Sequence, residues 1–197
     1  MRLLASSSSP FARKVRACAI LRGVDAGIEI VPTSPQDRPP ELLAANPLGK
    51  IPVLLLEDGT AIFDSPVICD YLDTLGDAPP LMPPAGPARL RAGTMQALAD
   101  GILDAAVARR VQMAWPQDEG RAKFDARQKK VIERGLDRLE ADPPQGLNDV
   151  GAVAVACALG YLDLRFPAEP WRDSRPNLAA WLASVAALPA LASTAPA

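Results

Sequence analysis

The 197-residue chain contains no histidine. That excludes Ser-His-Asp and Cys-His catalysis and removes the commonest zinc ligand, so no metal site is expected. Acid–base work must come from Asp, Glu, Lys, Tyr or the substrate itself. Cysteine is scarce. Cys18, Cys69 and Cys157 are odd in number, far apart, set in apolar stretches and without a C-x-x-C pattern. They read as buried free thiols in a reducing compartment. Charge of one sign is not in excess: 21 Lys and Arg face 23 Asp and Glu. There is thus no electrostatic case for nucleic acid or an anionic membrane as partner. The longest apolar run, Val150 to Leu162, is too short to span a bilayer. Met1-Arg2-Leu3-Leu4 has no apolar h-region behind it, so no signal peptide is expected and a cytoplasmic location is. No internal repeat is visible.

Apolar residues are plentiful at 49%, enough for the core of one large domain or two small ones. The 21 prolines cluster at element ends and act as punctuation. Residues 2–5 read as a buried strand. A helix is expected from Pro10 to Arg22, with Gly23 as its C-terminal glycine. Ile28–Val31 is a second strand stopped by Pro32, and Pro40–Ala45 a short helix. Ile51–Leu56 and Thr60–Phe63 flank Asp58-Gly59, a hairpin signal, so these two strands should be antiparallel. A third helix runs to Leu75, with Val67, Ile68, Tyr71 and Leu72 on its inner face. The fold class is therefore α/β for residues 1–77, starting with a parallel, right-handed βαβ unit. Residues 78–86 are a proline-rich linker and 87–197 an all-helical domain. Helices are expected over residues 87–115, 119–141, 150–164 and 176–187, with a frayed tail. The third of these is apolar nearly all round and should be the buried centre.

Candidate chemistry gathers at two helix starts. Ser6-Ser7-Ser8-Ser9-Pro10 ends the first strand, and Asp64-Ser65-Pro66 opens the third helix. Serine is a good N-cap and proline is favoured at the first helical position. A helix start leaves N–H groups free and carries partial positive charge, so it favours an anion. Ser9 is thus either a plain cap or a hydroxyl facing an anion site, with Arg13, Lys14 and Arg16 one turn in. Lys50 and the Ile51-Pro52 turn lie between the two starts. Two carboxylates would suit Lys50 and the Ser65 helix start, an ammonium would suit Asp64, and a soft anion such as a thiolate would suit Ser9.

Ser9-Pro10-Phe11-Ala12-Arg13, Asn46-Pro47-Leu48-Gly49-Lys50-Ile51-Pro52-Val53-Leu54 and Phe63-Asp64-Ser65 resemble the glutathione S-transferase family. Their order and spacing, the proline linker and the helical second half extend the resemblance over essentially the whole chain. It implies a thioredoxin-like first domain that binds glutathione as co-substrate. Ile51, beside a cis Pro52, would pair its backbone with the cysteinyl part. Asp64 and Ser65 would hold the γ-glutamyl end, and Lys50 would approach the glycyl carboxylate. Ser9 falls where the serine-type classes carry their catalytic serine, with Ser8 the second choice. The activated thiol would attack a small electrophile, a detoxification chemistry. Phe11, Arg110, Met113 and Trp115 are candidates for the electrophile pocket, with packing and solvated charge as their other reading. A homodimer is implied, and Asp100 resembles a position that reaches the neighbour's glutathione. Glutathione-dependent disulfide reductase or peroxidase, and a non-catalytic binding protein of the same fold, remain alternatives. One departure stands out: Asp149 caps the central helix, but Ala152 replaces the acidic third residue of the capping box, at a cost of about 1 kcal/mol.

Overall fold

The computed structural model describes residues 1–196. Four strands, β1 (Arg2–Ala5), β2 (Glu29–Pro32), β3 (Val53–Leu55) and β4 (Ala61–Ile62), form one mixed sheet in the order β2-β1-β3-β4. β1 and β2 are parallel, with Leu3 opposite Ile30, and β3 runs antiparallel to both β1 and β4. Alternation splits the sheet residues between two faces. Leu3, Ala5 and Leu54 join the main core with α1 (Pro10–Leu21) and α3 (Ser65–Asp73). Leu4 and Val53 point the other way and pack on Leu42 of α2 (Pro40–Ala45).

The expected strands shorten at both ends of the hairpin. Ile51 and Pro52 lie outside β3, as suits a proline that cannot donate to a ladder. Pro32 belongs to β2, where an edge position makes its missing N–H harmless. The first helix ends at Leu21, and Arg22 caps it by donating its N–H to the Cys18 carbonyl. The Arg22 guanidinium then donates to the carbonyls of Asp73, Leu75 and Gly76, gripping the end of α3. Asp73 accepts from the amides of Leu81 and Met82, which fastens the proline-rich linker to the same point. Val67 is a correction: 51% exposed, it lies off the inner face of α3.

The remaining residues build α4 (Pro87–Gln112), α5 (Glu119–Ala141), α6 (Val150–Arg165), α7 (Pro176–Val185) and α8 (Pro189–Ala192). α6 is buried from Val150 through Leu159 and is the centre of the bundle, as its apolar circumference predicts. Asp149 caps it by accepting from the Ala152 amide at 2.8 Å. Gly151 lets α4 approach, because an added Cβ would lie 2.6 Å from the Ala92 carbonyl oxygen. α4 stops at Gln112, not Trp115; Met113, Ala114 and Trp115 bond three residues back, a tightened end. The tail is also corrected: α8 docks on α1, with Ala190, Leu191 and Thr194 buried. Among the described residues, no helix is long and apolar enough to cross a membrane.

Candidate active site

Ser9 is the N-cap of α1, in extended backbone conformation, with Pro10 as the first helical residue. Its Oγ accepts from the Ala12 amide at 3.2 Å, and its carbonyl accepts from the Arg13 amide at 2.9 Å. The hydroxyl proton takes no part in the cap and stays available for donation. The Ser9 amide donates to the Ser6 carbonyl, closing the turn through Ser7 and Ser8. Of the four serines, Ser9 alone is the cap.

The Asn46–Lys50 turn is organised by a buried asparagine. Asn46 Nδ2 donates to the Lys50 carbonyl at 2.9 Å, and its Oδ1 accepts from the Leu48 amide at 3.0 Å. Gly49 takes φ +62°, a value glycine adopts without strain. This explains the spacing of Asn-Pro-Leu-Gly-Lys: the side chain clamps the loop and leaves Lys50 exposed. The Ile51-Pro52 bond is cis, as is Phe63-Asp64. Half-buried Ile51 sits beside the sheet with no backbone partner for its amide or carbonyl among the described residues.

The second helix start shifts by one residue. Asp64, not Ser65, is the N-cap: its carbonyl accepts the Ile68 amide at 3.0 Å, and Ser65-Pro66 open the helix. A proline fits the second position because the first four helical amides lack partners anyway. The Asp64 side chain makes no cap hydrogen bond and is exposed, while Ser65 is 1% exposed.

The cations beyond Ser9 are where tertiary structure departs most from a local reading. Lys14 is fully buried, and its Nζ holds both carboxylate oxygens of Asp100 on α4 at 2.7 Å. Arg13 is buried too and reaches Leu191 of α8. Both leave the helix start for the helical half. The Asp100 carboxylate is thereby engaged within its own chain. Burial raises its carboxyl, opposed by Lys14 and reinforced by Asp104 and Asp64. Asp104, one turn further along α4, was missed in the sequence. Loss of water raises its carboxyl, Lys50 opposes this, and Asp64 adds to it. The i, i+4 pair Asp100 and Asp104 was the available signal. α4 thus brings two carboxylates into the field of Lys50 and Asp64.

The four electrophile-pocket candidates lie on α1 and around the end of α4. Half-buried Phe11 packs against the main core, with Lys14 Nζ 6.0 Å from its ring centre. Arg110 is exposed, as are Met113 (52%) and Trp115 (61%), in or just past the last turn of α4. A cavity of about 450 Å³ elsewhere is lined by Arg109, Ile132, Phe166, Trp171 and Arg175, among others.

The three thiols are buried and free, as expected. A hydrogen bond with Cys69, then burial, pushes Cys18 up. Burial pushes Cys157 up to about 12. At pH 8 the Cys157 thiolate fraction is then about one in ten thousand. Because all three thiols are buried, native protein should leave them unmodified by Ellman's reagent over hours, and unfolded protein should react at once. Rapid modification in the native state would show that the helix packing opens readily. Among the described residues, no group of three or more His, Cys, Asp or Glu could hold a metal ion.

Comparison with known proteins places this geometry. The family description "Glutathione S-transferase, N-terminal domain" matches residues 8–75, and "Glutathione S-transferase, C-terminal domain" matches residues 104–184. The GST-like protein YibF of Escherichia coli K12 is 35% identical over 183 residues, 90% of each chain. A glutathione transferase family member from Pseudomonas fluorescens Pf-5, solved with bound glutathione, is 38% identical with a TM-score of 0.92. That match covers 100% of this chain and 98% of the other. A glutathione S-transferase from Methylobacillus flagellatus KT, also with glutathione bound, is 36% identical with a TM-score of 0.90. It is matched over 99% of its length and 100% of this chain. Two matched domain descriptions and relatives similar from end to end leave one assignment: the chain belongs to the glutathione S-transferase family.

Proposed function

We propose that the chain binds glutathione and activates its thiol for attack on a small electrophile, with Ser9 as the thiol's hydrogen-bond donor. The observation that carries this reading is the Ser9 hydroxyl. It accepts from the Ala12 amide and keeps its own proton to donate, at a helix start that favours negative charge. The full-length relatives with bound glutathione support the same ligand here. Ile51 offers an unpaired amide and carbonyl to the cysteinyl backbone. Lys50 faces the glycyl carboxylate, and Asp64 and Ser65 take the γ-glutamyl end. The free thiol has a pKa of about 8.5, and donors at a helix start lower it. The thiol proton leaves to solvent and the sulfur lone pair forms the bond to the electrophilic centre, while the electron pair of the bond broken there departs with the leaving group, as chloride does from a chloronitrobenzene. Ser9 itself is not the nucleophile, since no base stands by to activate it. A second copy of the chain belongs to the same proposal, and exposed Val67 and Leu90 offer it apolar surface on α3 and α4.

Titration calorimetry with glutathione should give a micromolar-to-millimolar Kd, weakened about tenfold in Asp64→Ala, the loss of one charged hydrogen bond. No heat and no thermal shift at saturating glutathione would reject the reading. A panel of chloronitrobenzene, hydroperoxide and mixed-disulfide substrates, with Ser9→Ala as control, identifies the electrophile class.

A further inference from the structure

Arg13 lies one turn beyond Ser9, yet its side chain leaves the first domain. Only 9% of the residue is exposed. Nη2 donates to the Leu191 carbonyl at 3.1 Å, and Nε donates to Thr194 Oγ1 at 3.5 Å. Thr194 is fully buried, and its hydroxyl proton is committed to the Ala190 carbonyl at 2.6 Å, so its oxygen is turned to accept. The guanidinium passes Gly160 of α6. A Cβ there would sit 2.2 Å from Arg13 Nη1, and its three nearest neighbours would all be Arg13 atoms. The notch in α6 and the C-terminal stretch that supplies both the buried threonine and the Leu191 carbonyl are two separate stretches of chain, and both accommodate one side chain. Burying a guanidinium is costly unless its donors are met, so this seat is built for the arginine.

Arg13 also closes the first turn of α1, since its amide donates to the Ser9 carbonyl. Helix ends fray unless something holds them. Lys14 is anchored to α4 by Asp100, and Arg13 adds a second anchor nearer the helix start. We infer that Arg13 is a positioning residue: α8, by gripping its guanidinium, holds the first turn of α1 in the geometry Ser9 needs. The functional half of this inference rests on the reading of Ser9 as thiol donor; the structural half does not.

Gly160→Ala tests it by pushing the guanidinium out of its seat, because the nearest atoms the added methyl meets are all Arg13 side-chain atoms and none is backbone. Deletion of residues 189–197 is the second variant, and Ser193→Ala, at an exposed position, is the control. Amide exchange is read first in ligand-free protein. Ala12 and Arg13 should exchange about tenfold faster in both variants, as expected for losing one charged hydrogen bond. Leu3 and Leu54, and every amide of the control, should be unchanged. With glutathione, the acid limb of the pH–rate profile should move up by about one unit. Unchanged exchange overturns the anchor. Faster exchange with an unmoved profile overturns the positioning of Ser9. A wild-type chain that binds no glutathione rejects the reading of Ser9, while exchange still decides the anchor.

Discussion

Ser9→Ala should lower kcat/KM for glutathione-dependent conjugation at pH 6.5 by roughly ten- to a hundredfold. A hydrogen bond to a charged group is worth about 1.5–3 kcal/mol, and a thiolate that loses this donor is harder to form. The folded-state consequence has a definite sign. Without the hydroxyl, the pKa of bound glutathione rises by about one to two units, at about 1.4 kcal/mol per unit. The defect should therefore be largest at acid pH and shrink toward pH 9, where the thiol ionises unaided. KM should move less than kcat. The same substitution also removes the cap on the Ala12 amide, at about 1 kcal/mol of stability. Ser9→Gly separates the effects, because glycine caps nearly as well as serine but donates nothing; it should match Ser9→Ala in rate and exceed it in stability. Ser7→Ala, at an exposed position, should be near wild type. Equal losses at Ser8 and Ser9 would move the donor within the serine run.

Asp100→Ala should cost about 3–5 kcal/mol in denaturant unfolding, the range for leaving one member of a buried ion pair without its partner. Lys14 is fully buried, and both of the Asp100 contacts to it are 2.7 Å. Lys14→Met should cost less, because the Asp100 side chain retains 17% exposure and can take up a proton. Here too the sign follows from the shift. Burial holds the Asp100 carboxyl above its usual range, so its ionisation penalises the folded state above that raised value and not below the unfolded one. The Lys14→Met loss should thus be smaller at pH 4 than at pH 7. Lys14→Met with Asp100→Leu should return close to wild-type stability, since apolar pairs often replace buried ion pairs without loss. A double variant as weak as Asp100→Ala alone would mean the pair does more than satisfy itself.

Much of the fold was legible because its signals are local. Ser9-Pro10 caps and starts a helix within two residues, Asp58-Gly59 turns a hairpin, and Asn46 clamps Lys50 from four residues away. The all-round apolar stretch after Asp149 could only be a buried helix. The start of α3 was legible to within one residue, since Asp64 and Ser65 both make good caps and the backbone chose between them.

What the sequence by itself determined is therefore the order of elements, the βαβ start, the antiparallel hairpin, the central helix and the stretches that carry the candidate site. Tertiary structure alone decided where long side chains go. Arg13 and Lys14 read as cations beside an anion site, but their partners lie 178 and 86 residues away. The tail read as frayed because it is an Ala-Pro-rich chain end; it docks on α1 through buried Ala190 and Leu191 and through the Arg13 guanidinium. Asp104 comes into the field of Lys50 and Asp64 only in the folded chain, and Val67 lost its buried place. Caps and turns are fixed by neighbours a few residues apart, whereas the burial of a charge depends on partners that only the folded chain assembles.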